Sequence, residues 1–286
     1  MTDARRASST TPTRLGEYLR TRRAQLSPED AGVVSYGARR VPGLRREELA
    51  QLAGVSATYY TRLEQGQSAN ASEAVIDALA TALDLDDDER AHLHTLAKPA
   101  KRKRTRAPKP ARASRNVRQL LGALIEVPAV VIDRRSDVLA WNALGRSLLA
   151  GHLLPDAPDD LADRPNLTRM LFLDPHHRDL YPRWQEEAAR AVASLRVFAG
   201  RSPDDRVLAE LVGELSVKSA EFAALWSKHP VANCVSGTKQ FRHPEVGELE
   251  LTFEALYLAE DEGQRILLYS AESGSPSEAA LRLLGR

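Results

Sequence analysis

The stretch REELAQLAGVSATYYTRLEQG, residues 46–66, predicts two short helices joined by a tight turn. Its apolar residues recur at helical spacing, and Ala50 is small enough to let the two helices approach where they cross. Gly54 falls at the bend, where a backbone angle open mainly to glycine is often required. Ser56 is a favourable N-cap for the second helix, and Gly66 is a favourable C-terminal stop. This spacing is typical of a helix-turn-helix.

Amphipathic segments on both sides of this stretch predict an all-α domain of about five helices. Residues 14–26, 73–83 and 89–96 carry apolar side chains at intervals of three and four. We expect the domain to occupy residues 14–98 and to follow a disordered tail at residues 1–13.

Charge divides the chain into a basic first part and an acidic second part. The whole chain carries +1, but residues 1–118 carry +8 and residues 119–286 carry −7. A polyanion such as nucleic acid would therefore meet the first part. Arginine heavily outnumbers lysine, and together with the abundant alanine this composition indicates a high-GC bacterial genome.

Several classes of protein are disfavoured by composition. The longest apolar run, residues 127–132, is far shorter than the roughly 20 residues that span a bilayer, and the polar N-terminus lacks the apolar core of a secretory signal. The single cysteine, Cys234, excludes an internal disulfide framework and a multi-cysteine zinc site. The histidines show no metal-ligand spacing. We expect a cytoplasmic protein with no membrane insertion, no metal and no cofactor.

The helix-turn-helix stretch, with its closing Leu-Glu-x-Gly, resembles the Xre/Cro/C1-type repressor family, whose domain has the lambda-repressor-like fold. In that family the second helix enters the major groove and its N-terminal residues contact base edges. The resemblance implies a DNA-binding set on this chain: Arg45, Arg46, Ser56, Ala57, Thr58, Tyr59 and Arg62.

Two roles within that set follow from the resemblance. Arg45 and Arg46 fall where the family contacts phosphates, and Arg62 falls where a guanidinium could pair bidentately with guanine. The glutamine pair of better-known members is absent, so the operator sequence does not transfer. Because one short helix reads few bases, we expect a homodimer on a pseudo-palindromic double-stranded operator.

Residues 99–113 predict a basic, proline-containing linker. No acidic residue occurs between Lys98 and Arg118, and proline and charge repulsion both favour an extended chain. Cations tethered beside a DNA-binding domain release counterions from nearby phosphates, so we expect the linker to raise DNA affinity without sequence preference.

Residues 114–286 predict an α+β domain. Residues 130–133 and 138–141 are β-rich runs around a polar turn, and residues 207–229 have the spacing of one long helix. Further helices are expected at residues 117–125, 142–149, 167–173, 184–198 and 279–284, and alternating strands at residues 239–243, 248–258 and 264–271. This order predicts a mixed sheet with helices on one side.

The segments PAVVIDRRSDVLAWNALGRSLL and FLDPHHRDLYPRWQEEAARAVASLR, with the C-terminal strands, resemble the MmyB-like ligand-binding domain. The resemblance covers essentially all of residues 114–286. It implies a PAS-like sensor in a regulator and suggests a long-chain fatty acid as the ligand class.

The residues themselves offer ligand contacts of two kinds. Arginine pairs bidentately with an acidic head group, whereas tryptophan supplies apolar surface and otherwise packs in a core. Asn142 follows a strand and could instead cap the next helix. The candidate ligand-binding residues are Trp141, Asn142, Arg178, Tyr181, Trp184, Arg196, Trp226 and His229.

The expected function is a sequence-specific DNA-binding transcription regulator whose C-terminal domain binds a small apolar or fatty-acid-like ligand that modulates operator binding. In one alternative, the C-terminal domain serves only dimerisation or protein contact. In another, Cys234 is a redox-sensing thiol. No nucleophile elbow, phosphate loop or HExxH motif occurs, so we do not expect an enzyme.

Overall fold

The computed structural model describes residues 13–33, 43–67, 71–98, 110–259 and 263–286. The expected N-terminal tail and most of the expected basic linker lie outside the described residues. The chain divides into two compact units, residues 1–103 and residues 104–286. Within the described ranges, every helix is too short or too polar to cross a bilayer.

The described part of the first unit contains the five helices expected from the sequence. They are α1 (Arg14–Gln25), α2 (Arg46–Leu52), α3 (Ala57–Glu64), α4 (Glu73–Ala82) and α5 (Asp87–Ala97). Ser72 caps α4 by accepting from the Val75 N–H, and Asp86 caps α5 by accepting from the Glu89 N–H. Leu19, Leu49 and Leu79 are fully buried and form part of the core between the helices.

The turn between α2 and α3 has the geometry that the sequence predicts. Gly54 has φ +65°, a left-handed conformation in which a side chain would be strained. The Ser56 hydroxyl accepts from the Tyr59 N–H at 3.1 Å and so begins α3. Ala50 is 1% exposed where α2 packs on its neighbours. The helix-turn-helix is confirmed.

The second unit is built on five antiparallel strands. They are β1 (Ala129–Ile132), β2 (Val138–Trp141), β3 (Ser236–His243), β4 (Gly247–Tyr257) and β5 (Arg265–Ser270), in the order β2-β1-β5-β4-β3. The expected hairpin of β1 and β2 is confirmed, but the expected mixed sheet is wrong. Each pair of described neighbours is antiparallel, because β3, β4 and β5 follow one another in hairpins and β5 returns antiparallel beside β1.

Eight α-helices accompany the sheet in the described residues of this unit. They are α6 (Arg115–Ala123), α7 (Ala143–Ala150), α8 (Leu167–Leu173), α9 (Pro175–Leu180), α10 (Trp184–Arg201), α11 (Arg206–Lys218), α12 (Ala220–Ser227) and α13 (Pro276–Leu284).

The single long helix expected over residues 207–229 is wrong. Ser219 adopts an extended conformation, ends α11, and begins α12 by accepting from the Phe222 N–H at 3.1 Å. The buried side chains of Leu215 and Phe222 continue the apolar spacing across the break, so the spacing alone conceals it.

Helices cover both faces of the sheet, so the expectation of helices on one side is also wrong. Ile132, Phe253 and Tyr269 face a core that includes side chains of α7 to α10 and α13. Val131 and Ile266 point to the opposite face because consecutive strand residues alternate, and there they pack with Leu121 of α6. The expected fold class, an all-α helix-turn-helix domain followed by an α+β PAS-like domain, is confirmed.

Candidate functional sites

The outer side of α3 presents a polar surface beside the helix-turn-helix turn. Ser56, Thr58 and Arg62 are exposed, whereas Tyr60 and Leu63 are fully buried in the domain core. Ala57 and Tyr59 are half-buried, and Arg45 is exposed at the N-terminus of α2. The expected DNA-binding residues therefore lie on accessible positions around one turn, with the hydroxyl and guanidinium groups that read base edges and phosphates.

Arg46, the remaining member of the expected set, is anchored within the domain. Its Nε donates to Glu64 Oε2 at 2.7 Å, while Arg23 Nε donates to Glu64 Oε1 at 2.7 Å. Arg23 also donates to the Leu44 carbonyl oxygen at 2.6 Å. The Arg46 side chain remains 43% exposed, so its outer nitrogens are accessible to a phosphate.

Glu64 is a buried carboxylate that sequence reasoning did not assign. Burial by itself would raise the pKa of Glu64, but hydrogen bonds from Arg23 and Arg46 outweigh it and hold the pKa below its usual value. Because Arg23 belongs to α1 and Arg46 to α2, this one side chain ties the end of α3 to both helices. The signal in the sequence was an acidic residue directly after the buried Leu63.

A cavity of about 110 Å³ lies between one face of the sheet and helices α8 to α10 in the second unit. Its walls combine apolar side chains with titratable ones. The lining residues are Ile132, Ser136, Leu167, Thr168, Leu171, His177, Tyr181, Glu187, Arg190, Ala191, Ser194, Cys234, Lys239, Phe253, Arg265, Leu267 and Tyr269.

Two charged side chains in this cavity, those of Glu187 and Arg265, are well buried. Glu187 is 6% exposed; it accepts from Arg190 Nη1 at 2.7 Å and pairs with the Lys239 ammonium group. Arg265 is also 6% exposed; its Nη2 donates to Ser194 Oγ at 3.4 Å, and its guanidinium lies 5.0 Å from the Phe198 ring centroid. Three cationic side chains and one carboxylate therefore line the space, which favours an anionic ligand.

Three further titratable side chains, those of His177, Tyr181 and Tyr269, line the same space. His177 is 1% exposed, and burial lowers the pKa of its imidazole to about 4, so the ring is neutral near pH 7. Its Nε2 has no hydrogen-bond partner among the described residues. Burial also raises the pKa of Tyr181 and of Tyr269, so both phenols keep their protons and can donate.

Of the eight candidate ligand-binding residues, Tyr181 alone is among the residues that line this cavity. Trp184 lies in the adjacent core, where its Nε1 donates to the Leu171 carbonyl oxygen at 2.8 Å. Arg178 lies over the Trp184 ring, 3.8 Å from its centroid, and pairs with Glu221 at 3.2 Å near the surface. Trp184 therefore contacts the cavity-lining residue Leu171 from the side of the core, and Arg178 packs on Trp184.

Arg196, Trp226 and His229 form a separate cluster at the end of α12. The Arg196 guanidinium lies 3.7 Å from the Trp226 ring centroid, donates to the Trp226 carbonyl oxygen, and lies 3.1 Å from His229 Nδ1. Burial and the Arg196 charge lower the pKa of His229 to about 4. The structure thus brings these three candidates together, but away from the cavity-lining set.

Trp141 and Asn142 line a second, wider groove of about 610 Å³ beside α6 and α13. Trp141 Nε1 donates to the Pro155 carbonyl oxygen at 2.8 Å. Asn142 Oδ1 accepts from the Gly145 N–H at 2.7 Å and the Ala129 N–H at 3.0 Å, and its Nδ2 donates to two backbone carbonyls. The capping role considered for Asn142 is the one the structure shows.

The cavity residues that sequence reasoning missed carried a readable signal. Arg265 alternates with Leu267 and Tyr269 on the inward face of β5, and Lys239 alternates with Phe241 on the inward face of β3. A charged side chain at an inward strand position is rare unless it is paired or binds a ligand. Such positions are recognisable only once the inward face of each strand is known.

Comparison with protein families gives two matches. The MmyB-like transcription regulator ligand binding domain matches residues 113–284, more than half of the chain, and a helix-turn-helix domain matches residues 14–93. The curated proteins contain no match to the chain. The chain belongs to the MmyB-like transcription regulators, as a DNA-binding regulator that joins a helix-turn-helix domain to a ligand-binding domain.

Proposed function

We propose that this regulator is a cytoplasmic homodimer that binds a pseudo-palindromic operator, and that a small apolar or fatty-acid-like ligand in its second domain changes operator affinity. It acts by binding and catalyses no reaction. The proposal is supported by the cavity in the second unit, which has apolar and cationic walls, and by the accessible surface of α3 in the same chain.

The DNA half of the proposal is supported by the placement of Thr58 and Arg62. Both are exposed on the helix that the motif places in the major groove, while Tyr60 on the same helix is fully buried. Loss of a bidentate arginine–guanine contact costs about 1–3 kcal/mol for that base.

Selection of bound sequences from random duplex DNA tests this half. We expect a two-fold symmetric consensus, and Arg62→Ala should lower affinity about tenfold or more and relax one position in each half-site. Arg90→Ala is the matched control, because Arg90 lies on α5 and bonds Thr81 of α4. Selection of no consensus, or an equal loss for both variants, would contradict the assignment of α3.

The ligand half of the proposal requires two states with different ligand affinities. A ligand changes operator affinity only by the difference in its affinity for the DNA-competent and DNA-incompetent states. Operator binding measured with and without lipid extracted from the purified protein tests this point. A ligand that binds the protein but leaves operator affinity unchanged would refute the coupling.

A second candidate role, dimerisation or protein contact alone, is favoured by apolar side chains beside the wider groove. Leu120 is 50% exposed, Ile125 is 79% exposed and Leu283 is 58% exposed. Exposed apolar patches of this kind mark interaction sites. If this face pairs two copies and the cavity has no role, Ile125→Lys should produce monomers and abolish operator binding, whereas no added ligand should change operator affinity.

A further inference from the structure

Arg265 is a buried cation in the cavity that has no carboxylate partner among the described residues. Glu187 is already paired with Arg190 and Lys239. Arg265 is 6% exposed and meets the Ser194 hydroxyl, but among the described residues it has no carboxylate partner. Burial of a charge without an opposite charge is costly, so a guanidinium in this position is expected to meet an anion that the protein does not supply.

The cations of the cavity converge on one small volume. Burial raises the pKa of the Cys234 thiol and the Glu187 carboxylate adds to the rise, while Lys239, Arg190 and Arg265 each act to lower it. All three cationic residues line the cavity, so they surround a common space. Because Glu187 already pairs with Arg190 and Lys239, Arg265 is the cation that remains for a ligand carboxylate.

His177 has a buried ring nitrogen in the same cavity that needs a hydrogen-bond partner. Its side chain is 1% exposed and lines the cavity, and its Nε2 lacks a hydrogen-bond partner within the described ranges. A hydroxyl group both donates and accepts, so it satisfies Nε2 in either tautomer of the neutral ring. A ligand with a carboxylate and a hydroxyl would meet both Arg265 and His177.

The volume limits how long such a ligand can be. The cavity measures about 110 Å³, and a cavity of about 150 Å³ in another protein accommodates benzene. By that standard this space holds about four or five non-hydrogen atoms, so an acid of six or seven such atoms requires only a small outward movement of the walls. A long-chain fatty acid is much larger, so it would enter only if the helices over the sheet moved apart.

We propose that the cavity binds a short hydroxy acid, with its carboxylate on Arg265, its hydroxyl on His177 and its carbon chain against Leu171 and Leu267. The proposal rests on the ligand-dependent regulation proposed above and names the ligand class for the same cavity. It differs from the fatty-acid suggestion in ligand length and in the requirement for a second polar group.

Titration calorimetry on the full chain without DNA tests the proposal. The probes are 3-hydroxybutyrate and lactate, their hydroxyl-free counterparts butyrate and propionate, and the long-chain acid dodecanoate. We expect each hydroxy acid to bind at least fivefold more tightly than its counterpart, and dodecanoate to bind more weakly than either hydroxy acid. Tighter binding of dodecanoate, or binding of none of the short acids, would overturn the proposal.

Two variants locate the binding site. Arg265→Gln should weaken 3-hydroxybutyrate at least tenfold, and His177→Leu should remove the preference for 3-hydroxybutyrate over butyrate. Arg282→Gln is the control, because that side chain is 64% exposed on α13 and pairs only with Glu278 among the described residues. Unchanged affinity in folded Arg265→Gln protein would overturn the site; if that variant does not fold, the His177→Leu comparison decides it.

The outcome is separable from that of the proposed regulation. If 3-hydroxybutyrate binds but operator affinity stays the same, the coupling fails and the hydroxy-acid site stands. If dodecanoate alone binds and changes operator affinity, the coupling stands and the hydroxy-acid site is overturned.

Discussion

Replacement of Glu64 by glutamine should destabilise the first unit while leaving the second unit unaffected. Glutamine has nearly the same shape but no charge, so it would leave the Arg23 guanidinium, whose side chain is 11% exposed, without its anionic partner. The Leu44 carbonyl oxygen, 2.6 Å from Arg23 Nη1, is neutral and cannot replace the lost charge.

The expected loss can be worked from the burial of each partner. Removal of one partner from a buried ion pair costs about 3–5 kcal/mol. The pair with Arg46 adds under about 1 kcal/mol, because that side chain is 43% exposed and solvent screens it. The glutamine oxygen can still accept one hydrogen bond from Arg23, so the lower value, about 3 kcal/mol, is expected. With a urea dependence of about 1–1.5 kcal/mol per molar, the midpoint should fall by about 2–3 M.

Two spectroscopic signals separate the units in the intact protein. Trp141, Trp184 and Trp226 are the three tryptophans of the chain, and they all belong to the second unit. Tryptophan fluorescence therefore follows the second unit, whereas far-ultraviolet circular dichroism follows helices in both. In Glu64→Gln, we expect an early circular-dichroism transition and an unchanged fluorescence transition.

The matched control is Arg46→Gln, which removes the exposed partner and retains the Glu64–Arg23 pair. It should cost less than about 1 kcal/mol. The reasoning about the buried carboxylate would be refuted if Glu64→Gln shifted the early transition no further than Arg46→Gln, or if both signals moved together.

Three further changes test other parts of the structure. Gly145→Ala should destabilise the second unit by about 1–3 kcal/mol, because the added Cβ would lie 2.4 Å from the Ala129 carbonyl oxygen. Gly213→Ala has open space around the added Cβ and should stabilise α11 by up to about 1 kcal/mol. Equal midpoints of fluorescence-monitored unfolding for the two variants would contradict this prediction. Folding lowers the pKa of His177 from 6.5 to about 4, so the unfolded chain binds a proton at this residue more readily than the folded chain does. The free energy of unfolding should therefore fall by about 3 kcal/mol as the pH drops from above 6.5 to 4. Urea denaturation should show a shallower acid loss in His177→Gln than in wild type, and parallel pH profiles would be the contrary result. Neutralising Lys101 to Arg106, outside the described residues, should weaken binding to all DNA and flatten its salt dependence, and an unchanged salt slope would exclude a role for the linker.

Interpretation of the first unit from sequence succeeded because its signals are local. The Ser56 cap, the Gly54 turn and the burial of Tyr60 each depend on residues within one or two helical turns. The role of Glu64 was missed, since its partner Arg23 is 41 residues away in the chain. Local patterns predict where a helix begins and ends, but they do not name the distant group that pairs with a charge.

The amino-acid sequence by itself determined the helix-turn-helix and most of the strands, because caps, turns and apolar periodicity act over a few neighbouring residues. It also carried the resemblance of each half of the chain to a known family. The tertiary structure alone decided the all-antiparallel strand order, the packing of α6 on the second face of the sheet and the break at Ser219. It also decided the cavity: Arg190 on α10, Lys239 on β3 and Arg265 on β5 converge only after strand register selects which side chains face inward. Register depends on pairing between distant segments, so the charged residues that line the cavity are the ones that sequence patterns could not bring together.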